Sequence, residues 1–250
     1  MKITILGSGT AVPSLTRNSS GILLQDEGVN TLFDFGYGTL RQLLCCGIDY
    51  HKIHRIFFTH NHPDHICDLI PFLFGSRYYP EPRTENLEIV AGPGFEDFFR
   101  QMTDAFGSWL KPTEYAIKII TQDEEESSYG SLRVLSKKVK HIAMSRGYRI
   151  TDSKGAVLAI SGDTDYCPAM IDLGRQADLL ILECAFPDDM KCPGHLTPDL
   201  ASQLANEAEC RRLCLTHFYP PCDLKAIREQ VQQRYAGQLF LAEDLMEFSL

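Results

Sequence analysis

The run Ile56-Phe57-Phe58-Thr59-His60-Asn61-His62-Pro63-Asp64-His65 decides how the rest of this 250-residue chain reads. Its first half is a short apolar strand, and its second half is His-x-His-x-Asp-His, starting where that strand ends. At a strand end alternate side chains project to the same side, so His60 and His62 can converge on one ion. The chain then turns, and Asp64 and His65 can address a neighbouring ion. Imidazole and carboxylate donors without thiolate suit zinc, and tolerate manganese, iron or nickel. The bland alternative for this run is a solvated histidine-rich loop.

Working outward, three more donors stand at strand ends. His141 follows Val139-Lys140, Asp163 lies in Ser161-Gly162-Asp163-Thr164 after Ala156 to Ile160, and His217 follows Cys214-Leu215-Thr216. Taken alone, each histidine reads as a hydrogen-bonded structural residue and Gly-Asp-Thr as a common turn. Taken with the first cluster, all facing one rim, they form a metal constellation. With His195 it includes six of the eight histidines; His51 and His54, just ahead of a strand, read as surface residues.

The surrounding pattern is α/β. Strands are expected at Lys2 to Leu6, Gly21 to Leu24, Asn30 to Phe35, Arg55 to Phe58, Leu87 to Ala91 and Ala116 to Ile120. Further strands are expected at Leu132 to Val139, Tyr148 to Thr151, Ala156 to Ile160, Leu179 to Leu182 and Leu213 to Thr216. Asp26 to Gly28 reads as a hairpin turn. Helices are expected at Thr39 to Cys46, Gly94 to Phe106, Pro198 to Glu209 (capped by Thr197) and Leu224 to Tyr235, with Leu69 to Phe74 a helix or turn. The acidic run Asp123 to Glu126 reads as a solvated loop. With no linker or low-complexity segment, residues 1–250 read as one domain of sheets covered by helices.

Composition bounds the function. A net charge of −9 argues against a protein that coats nucleic acid, although Lys137, Lys138 and Lys140, with Arg146 close behind, form a local basic cluster around His141. The nine cysteines lack any Cys-x-x-Cys and read mostly as buried small hydrophobes with reduced thiols, which suits the cytoplasm. The N-terminal apolar run is too short for a signal peptide, and no apolar run can span a bilayer, so no membrane partner is expected.

In order and spacing these motifs resemble the metallo-β-lactamase superfamily, specifically its ribonuclease Z-like branch, over nearly the whole chain. Leu32-Phe33-Asp34-Phe35-Gly36-Tyr37-Gly38-Thr39 resembles the segment after the family's first hairpin, Thr59 to His65 its metal motif, and Gly162-Asp163-Thr164 its bridging-aspartate motif. Leu179-Leu180-Ile181-Leu182-Glu183-Cys184-Ala185-Phe186 resembles its late buried strand, Gly194-His195-Leu196-Thr197 its His-x-Thr element, and Leu215-Thr216-His217-Phe218 its last ligand.

The resemblance implies a four-layer αββα sandwich holding two Zn2+ ions. His60, His62 and His141 would hold one, Asp64, His65 and His217 the other, and Asp163 would bridge them. The implied nucleophile is a metal-bridging hydroxide, since two adjacent ions deprotonate a shared water near neutral pH. His195 is then the general acid, and Asp64 takes part in proton transfer while it binds metal. The competing reading of His195 is a structural residue beside the Thr197 cap.

One feature departs from the family. Ribonuclease Z proper generally carries a protruding arm that grips transfer RNA, inserted between the positions matching His141 and Asp163. Here a plain hairpin, Tyr148 to Thr151 and Ala156 to Ile160 around Asp152 to Gly155, fills that interval. The expected activity is therefore a phosphodiesterase acting on RNA ends or a small anionic ester. The alternatives are hydrolysis of lactones, thioesters or aryl sulfates on the same core, or ligand binding without catalysis. A homodimer is the further partner admitted.

Overall fold

The computed structural model describes residues 1–78 and 81–250. A first sheet is built from β1 (Lys2–Gly7), β2 (Gly21–Asp26), β3 (Val29–Phe33), β4 (Ile53–Phe58), β5 (Leu87–Ala91) and β6 (Ile117–Thr121). A second holds β7 (Glu126–Tyr129), β8 (Leu132–Lys138), β9 (Arg146–Thr151), β10 (Val157–Ile160), β11 (Leu179–Glu183), β12 (Arg212–Thr216) and β13 (Gln238–Leu241). The last strand, β14 (Glu247–Ser249), returns to the first sheet beside β1.

The two sheets share one plan. In the first, ordered β14-β1-β2-β3-β4-β5-β6, antiparallel pairing gives way to parallel pairing from β3 onward. In the second, ordered β13-β12-β11-β10-β9-β8-β7, the change comes at β10. Parallel strands need crossovers, and helices supply them: α1 (Thr39–Cys45), α2 (Pro63–Ile66), α3 (Leu69–Gly75) and α4 (Phe95–Phe106) on the first sheet. On the second lie α5 (Pro168–Gly174), α6 (Pro198–Glu207) and α7 (Leu224–Arg234).

Strand alternation sets the layers. On β4, Phe57 points between the sheets while Ile56 and Phe58 point to the helices; on β11, Leu179 and Ile181 face inward, Leu180 and Leu182 outward. The inner core stacks Phe33 on Phe57 at 4.8 Å and sets Tyr148 of the opposite sheet edge-on to Phe57 at 5.3 Å. Tyr148 also donates its hydroxyl to the Phe58 carbonyl at 2.8 Å, tying the sheets just below the histidine run. Helices, sheet, sheet and helices make the expected αββα sandwich.

Several expectations change. The acidic run is exposed as expected, but its last residue, Glu126, opens β7, and Asp123 accepts a 2.6 Å bond from Arg146. Thr197 occupies the cap position of α6 with extended backbone, but its side chain makes no capping bond; Pro198 at the first turn presets the helix instead. His51 and His54 are half-buried, and His54 Nδ1 accepts from the Asn30 amide at 3.1 Å. Of the nine free cysteines, four (Cys167, Cys184, Cys210 and Cys214) are buried. No helix among the described residues is long and apolar enough to cross a membrane.

Candidate metal centre

The site forms where strand ends from both sheets meet. His60 follows β4, Asp163 follows β10, His217 follows β12, and His141 lies beyond β8. Pro63 confines His62 to an extended backbone (φ −64°, ψ 148°) and starts the single turn of α2, which brings Asp64 and His65 back under the strand. The approach is close enough to require glycine at two points. A Cβ on Gly36 would stand 2.0 Å from the Asp64 carbonyl oxygen, and one on Gly162, where φ is +57°, would stand 2.5 Å from Thr59 Cβ.

The donor atoms converge as two sets. His60, His62, His141 and Asp163 make one, with each ligand atom within 4.8 Å of the others; Asp64, His65 and His217 make a second. Asp163 faces both. Its Oδ2 lies 3.8 Å from His60 Nε2 and 3.9 Å from His141 Nε2, while its Oδ1 lies 3.2 Å from His65 Nε2 and 3.4 Å from His217 Nε2. His217 Nε2 stands 3.3 Å from Asp64 Oδ2.

Whether these residues fit metal ions is tested by what their atoms lack. Nε2 of His60 and of His65 and Oδ1 of Asp163 are buried without a hydrogen-bond partner. Buried polar atoms are almost always paired, so three orphans facing one another point to a cation. His62 Nδ1 and His141 Nε2 lie 3.1 Å apart. A tetrahedral zinc with arms of 2.0–2.1 Å separates its donors by about 3.3 Å, so the spacing fits.

On three of these histidines the opposite ring nitrogen is held. His141 Nδ1 donates to the Gly194 carbonyl at 2.9 Å, and His65 Nδ1 lies 2.6 Å from Asp34 Oδ2. Thr59 Oγ donates to Asp34 at 2.9 Å and takes His60 Nδ1 at 3.0 Å. Each bond consumes one nitrogen and leaves the other aimed inward, the arrangement typical of metal-binding histidines. Burial lowers the pKa of both His60 and His141, and the His65 charge adds to the effect at His60. Both are therefore neutral imidazoles at neutral pH, the form that binds metal. Asp163, although its burial opposes charge, is held well below the usual carboxylate range by His217 and His65.

His195 sits at the rim with its ring 4.9 Å from His141 and 6.0 Å from His217. Its Nδ1 lies 2.9 Å from Glu183 Oε1 and 4.0 Å from Asp163 Oδ2. Burial opposes its charge, but the Glu183 bond outweighs this and raises its pKa. Asp163, His195 and His217 also lie close enough to form a third donor group.

Two functional positions escaped the sequence reading. Glu183 fixes His195 and also accepts the Thr164 and Leu196 amides; its signal was a carboxylate ending a wholly apolar strand. Asp34 orients His65 and, through Thr59, His60; its signal was a lone acid between Phe33 and Phe35. Both Asp34 and His217 adopt left-handed backbone (φ 61° and 62°), local strain of the kind found at functional sites. The basic cluster, by contrast, is largely spent. Arg146 is buried and paired with Asp123, and Lys137 is bonded to Asp172 at 2.7 Å. Lys138 and Lys140 remain exposed.

The model of the β-lactamase superfamily domain matches residues 29–218. A ribonuclease Z of Brevibacillus brevis is 32% identical over 273 positions, covering 88% of this chain and 86% of the relative. One from Bacillus thuringiensis is 28% identical over 310 positions, covering 99% of each. That alignment is longer than this chain's 250 residues. Among solved structures, human tRNase Z, short form, superposes with a TM-score of 0.79 at 29% identity, covering 100% and 99%. The metallo-β-lactamase fold protein YhfI from Bacillus subtilis gives 0.87 at 24%, covering 99% and 98%, a likeness of fold. With its fold, its donor set and these relatives in agreement, the chain belongs to the metallo-β-lactamase superfamily, on the ribonuclease Z-like branch, and is a metal-dependent hydrolase.

Proposed function

We propose that the chain is a two-zinc phosphodiesterase that cleaves small phosphodiesters and RNA ends. The observation that carries this reading is Asp163, whose two carboxylate oxygens face two separate donor sets. His60, His62 and His141 would hold one ion, Asp64, His65 and His217 the other, with Asp163 between them. Bound divalent ions supply Lewis-acid polarisation of phosphoryl oxygens and acidify water near neutral pH.

The chain's own residues do the rest. Glu183 accepts the Nδ1 proton of His195, so that in the protonated ring the second proton, on the opposite nitrogen, can pass to the departing oxygen as the phosphorus–oxygen bond breaks, leaving the neutral imidazole. The same bond raises the His195 pKa, which favours the protonated ring. Asp64 would hold metal and also take part in proton transfer. Relatives named ribonuclease Z support RNA as a substrate. The free cysteines support a reducing, cytoplasmic setting.

The partly neutralised basic cluster favours a second reading, hydrolysis of uncharged esters on the same core. One experiment decides. Elemental analysis of purified protein should give about two transition-metal ions per chain, falling in Asp163→Ala. The metallated protein should cleave bis(p-nitrophenyl) phosphate faster than lactone, thioester, aryl sulfate or β-lactam substrates. Preference for a lactone or thioester would transfer the assignment to the second reading.

A further inference from the structure

Beyond the donors and His195, Tyr219 brings a phenol to the edge of the donor cluster. Tyr219 lies two residues past His217. Its ring stands edge-on to His217 at 5.6 Å (76°) and edge-on to His195 at 6.3 Å (72°). Those two imidazoles are themselves stacked 6.0 Å apart. The three rings thus enclose the space between the metal donors and the general acid, where a substrate phosphoryl group would sit.

The ring cannot easily turn away. Phe186 stacks on it at 4.6 Å and 18°, and Phe186 in turn packs edge-on to His195. The Tyr219 amide donates to the Ala185 carbonyl at 3.2 Å, and its own carbonyl accepts from Cys222 at 3.0 Å. Pro220 and Pro221 follow, and a residue before proline has little backbone freedom. The hydroxyl is the exception to this restraint. Tyr148, Tyr129 and Tyr235 give their protons to Phe58, Gln122 and Cys210 respectively. Among the described residues Tyr219 has no such acceptor. A phenol hydroxyl in its ordinary protonated form is a hydrogen-bond donor.

We propose that the Tyr219 hydroxyl donates a hydrogen bond to a non-bridging phosphoryl oxygen of the substrate, and that Phe186 holds the ring in position to do so. The proposal rests on the phosphodiesterase reading. It supplies a neutral donor for substrate charge at a site where the nearby cations are largely tied up. A side chain that only walls the pocket would need the ring; a donor needs the oxygen.

The test compares wild type, Tyr219→Phe and Tyr219→Leu, all metallated. Metal content is measured by elemental analysis, kcat and KM with bis(p-nitrophenyl) phosphate, and affinity for inorganic phosphate by calorimetry. Tyr219→Phe should keep the wild-type metal content and lose about ten- to a hundredfold in kcat/KM, as expected for one hydrogen bond to a charged oxygen. Its phosphate affinity should fall with it. Wild-type kcat/KM and phosphate affinity in Tyr219→Phe, with loss confined to Tyr219→Leu, would overturn the proposal in favour of a packing role. A wild type that turns over lactones and not the diester would remove the phosphodiesterase reading. The phosphate affinities would then decide the Tyr219 donor by themselves, equal values for wild type and Tyr219→Phe overturning it.

Discussion

Asp34, just past β3, and His65, in α2 just past β4, are joined by a 2.6 Å contact between Oδ2 and Nδ1. The same carboxylate accepts the Thr59 amide and hydroxyl, and that hydroxyl meets His60 Nδ1. One buried acid therefore aims two imidazoles, each belonging to a different donor set. The ring directions of His60 and His65 thus depend on a residue that belongs to neither donor set.

Asp34→Asn tests this dependence. Asparagine tolerates the left-handed backbone at this position, so the fold should persist. It cannot serve as a full carboxylate to both His65 and Thr59. Zinc affinity, read by competition with a chromogenic chelator, should fall about ten- to a hundredfold. Unchanged affinity would mean that the strands alone aim the rings.

Separating the acid from the ligands takes two variants. His195→Ala should retain its metal and lose about a hundred- to ten-thousandfold in turnover, with a smaller loss for substrates whose leaving groups need no proton. Glu183→Gln should lose turnover in the same leaving-group-dependent way, because it disturbs the 2.9 Å contact that orients His195. Metal loss in His195→Ala as complete as in His62→Ala would make His195 a ligand, consistent with the third donor group.

Asp244 secures the loops behind the site. It accepts from the Ser8 amide (2.9 Å) and hydroxyl (2.7 Å), the Asn18 amide (2.7 Å) and side chain (2.8 Å), and Gln42 (3.1 Å). Ser8 in turn receives the His217 amide through its carbonyl. Asp244→Ala should cost about 2–4 kcal/mol, since it strips a charged acceptor from several donors at once. Urea denaturation of the metal-free protein checks this; a midpoint within experimental scatter of wild type would show that water replaces the carboxylate.

The sequence was most legible where chemistry is local. β5 was expected over Leu87 to Ala91 and lies there, and the fully apolar run from Leu179 became a strand buried on both faces. The His60 to His65 run could be read as a donor cluster because strand end, proline and short turn fix it within a few residues. β13 and β14 were missed, being edge strands of four and three residues, too short to display alternation. Asp34 and Glu183 could be quoted but not assigned, because their partners lie 31 and 12 residues away. Lys137 was misjudged for the same reason: its neutralising partner, Asp172, is 35 residues distant.

That last point bears on RNA. Each phosphate contact adds about 0.7 to 0.9 to the slope of log affinity against log salt. With Arg146 buried and Lys137 paired, Lys138 and Lys140 are what remains of the cluster, and Lys140 has Asp165 at 3.7 Å. The β9–β10 hairpin turns through Asp152 to Ala156 with no arm to add contacts at a distance. A precursor transfer RNA would therefore be held by few phosphates. Hydrolysis of a small aryl phosphodiester should be nearly independent of salt, while cleavage of precursor transfer RNA should be slow and only shallowly salt-dependent. Measuring kcat/KM for both across a salt series checks this. Efficient RNA 3′ cleavage with a steep slope would show that other cations, or a second copy of the chain, supply the grip. A shallow slope with rapid cleavage would instead show that binding at the reacting phosphodiester suffices, because the missing contacts would then be unnecessary for turnover rather than replaced.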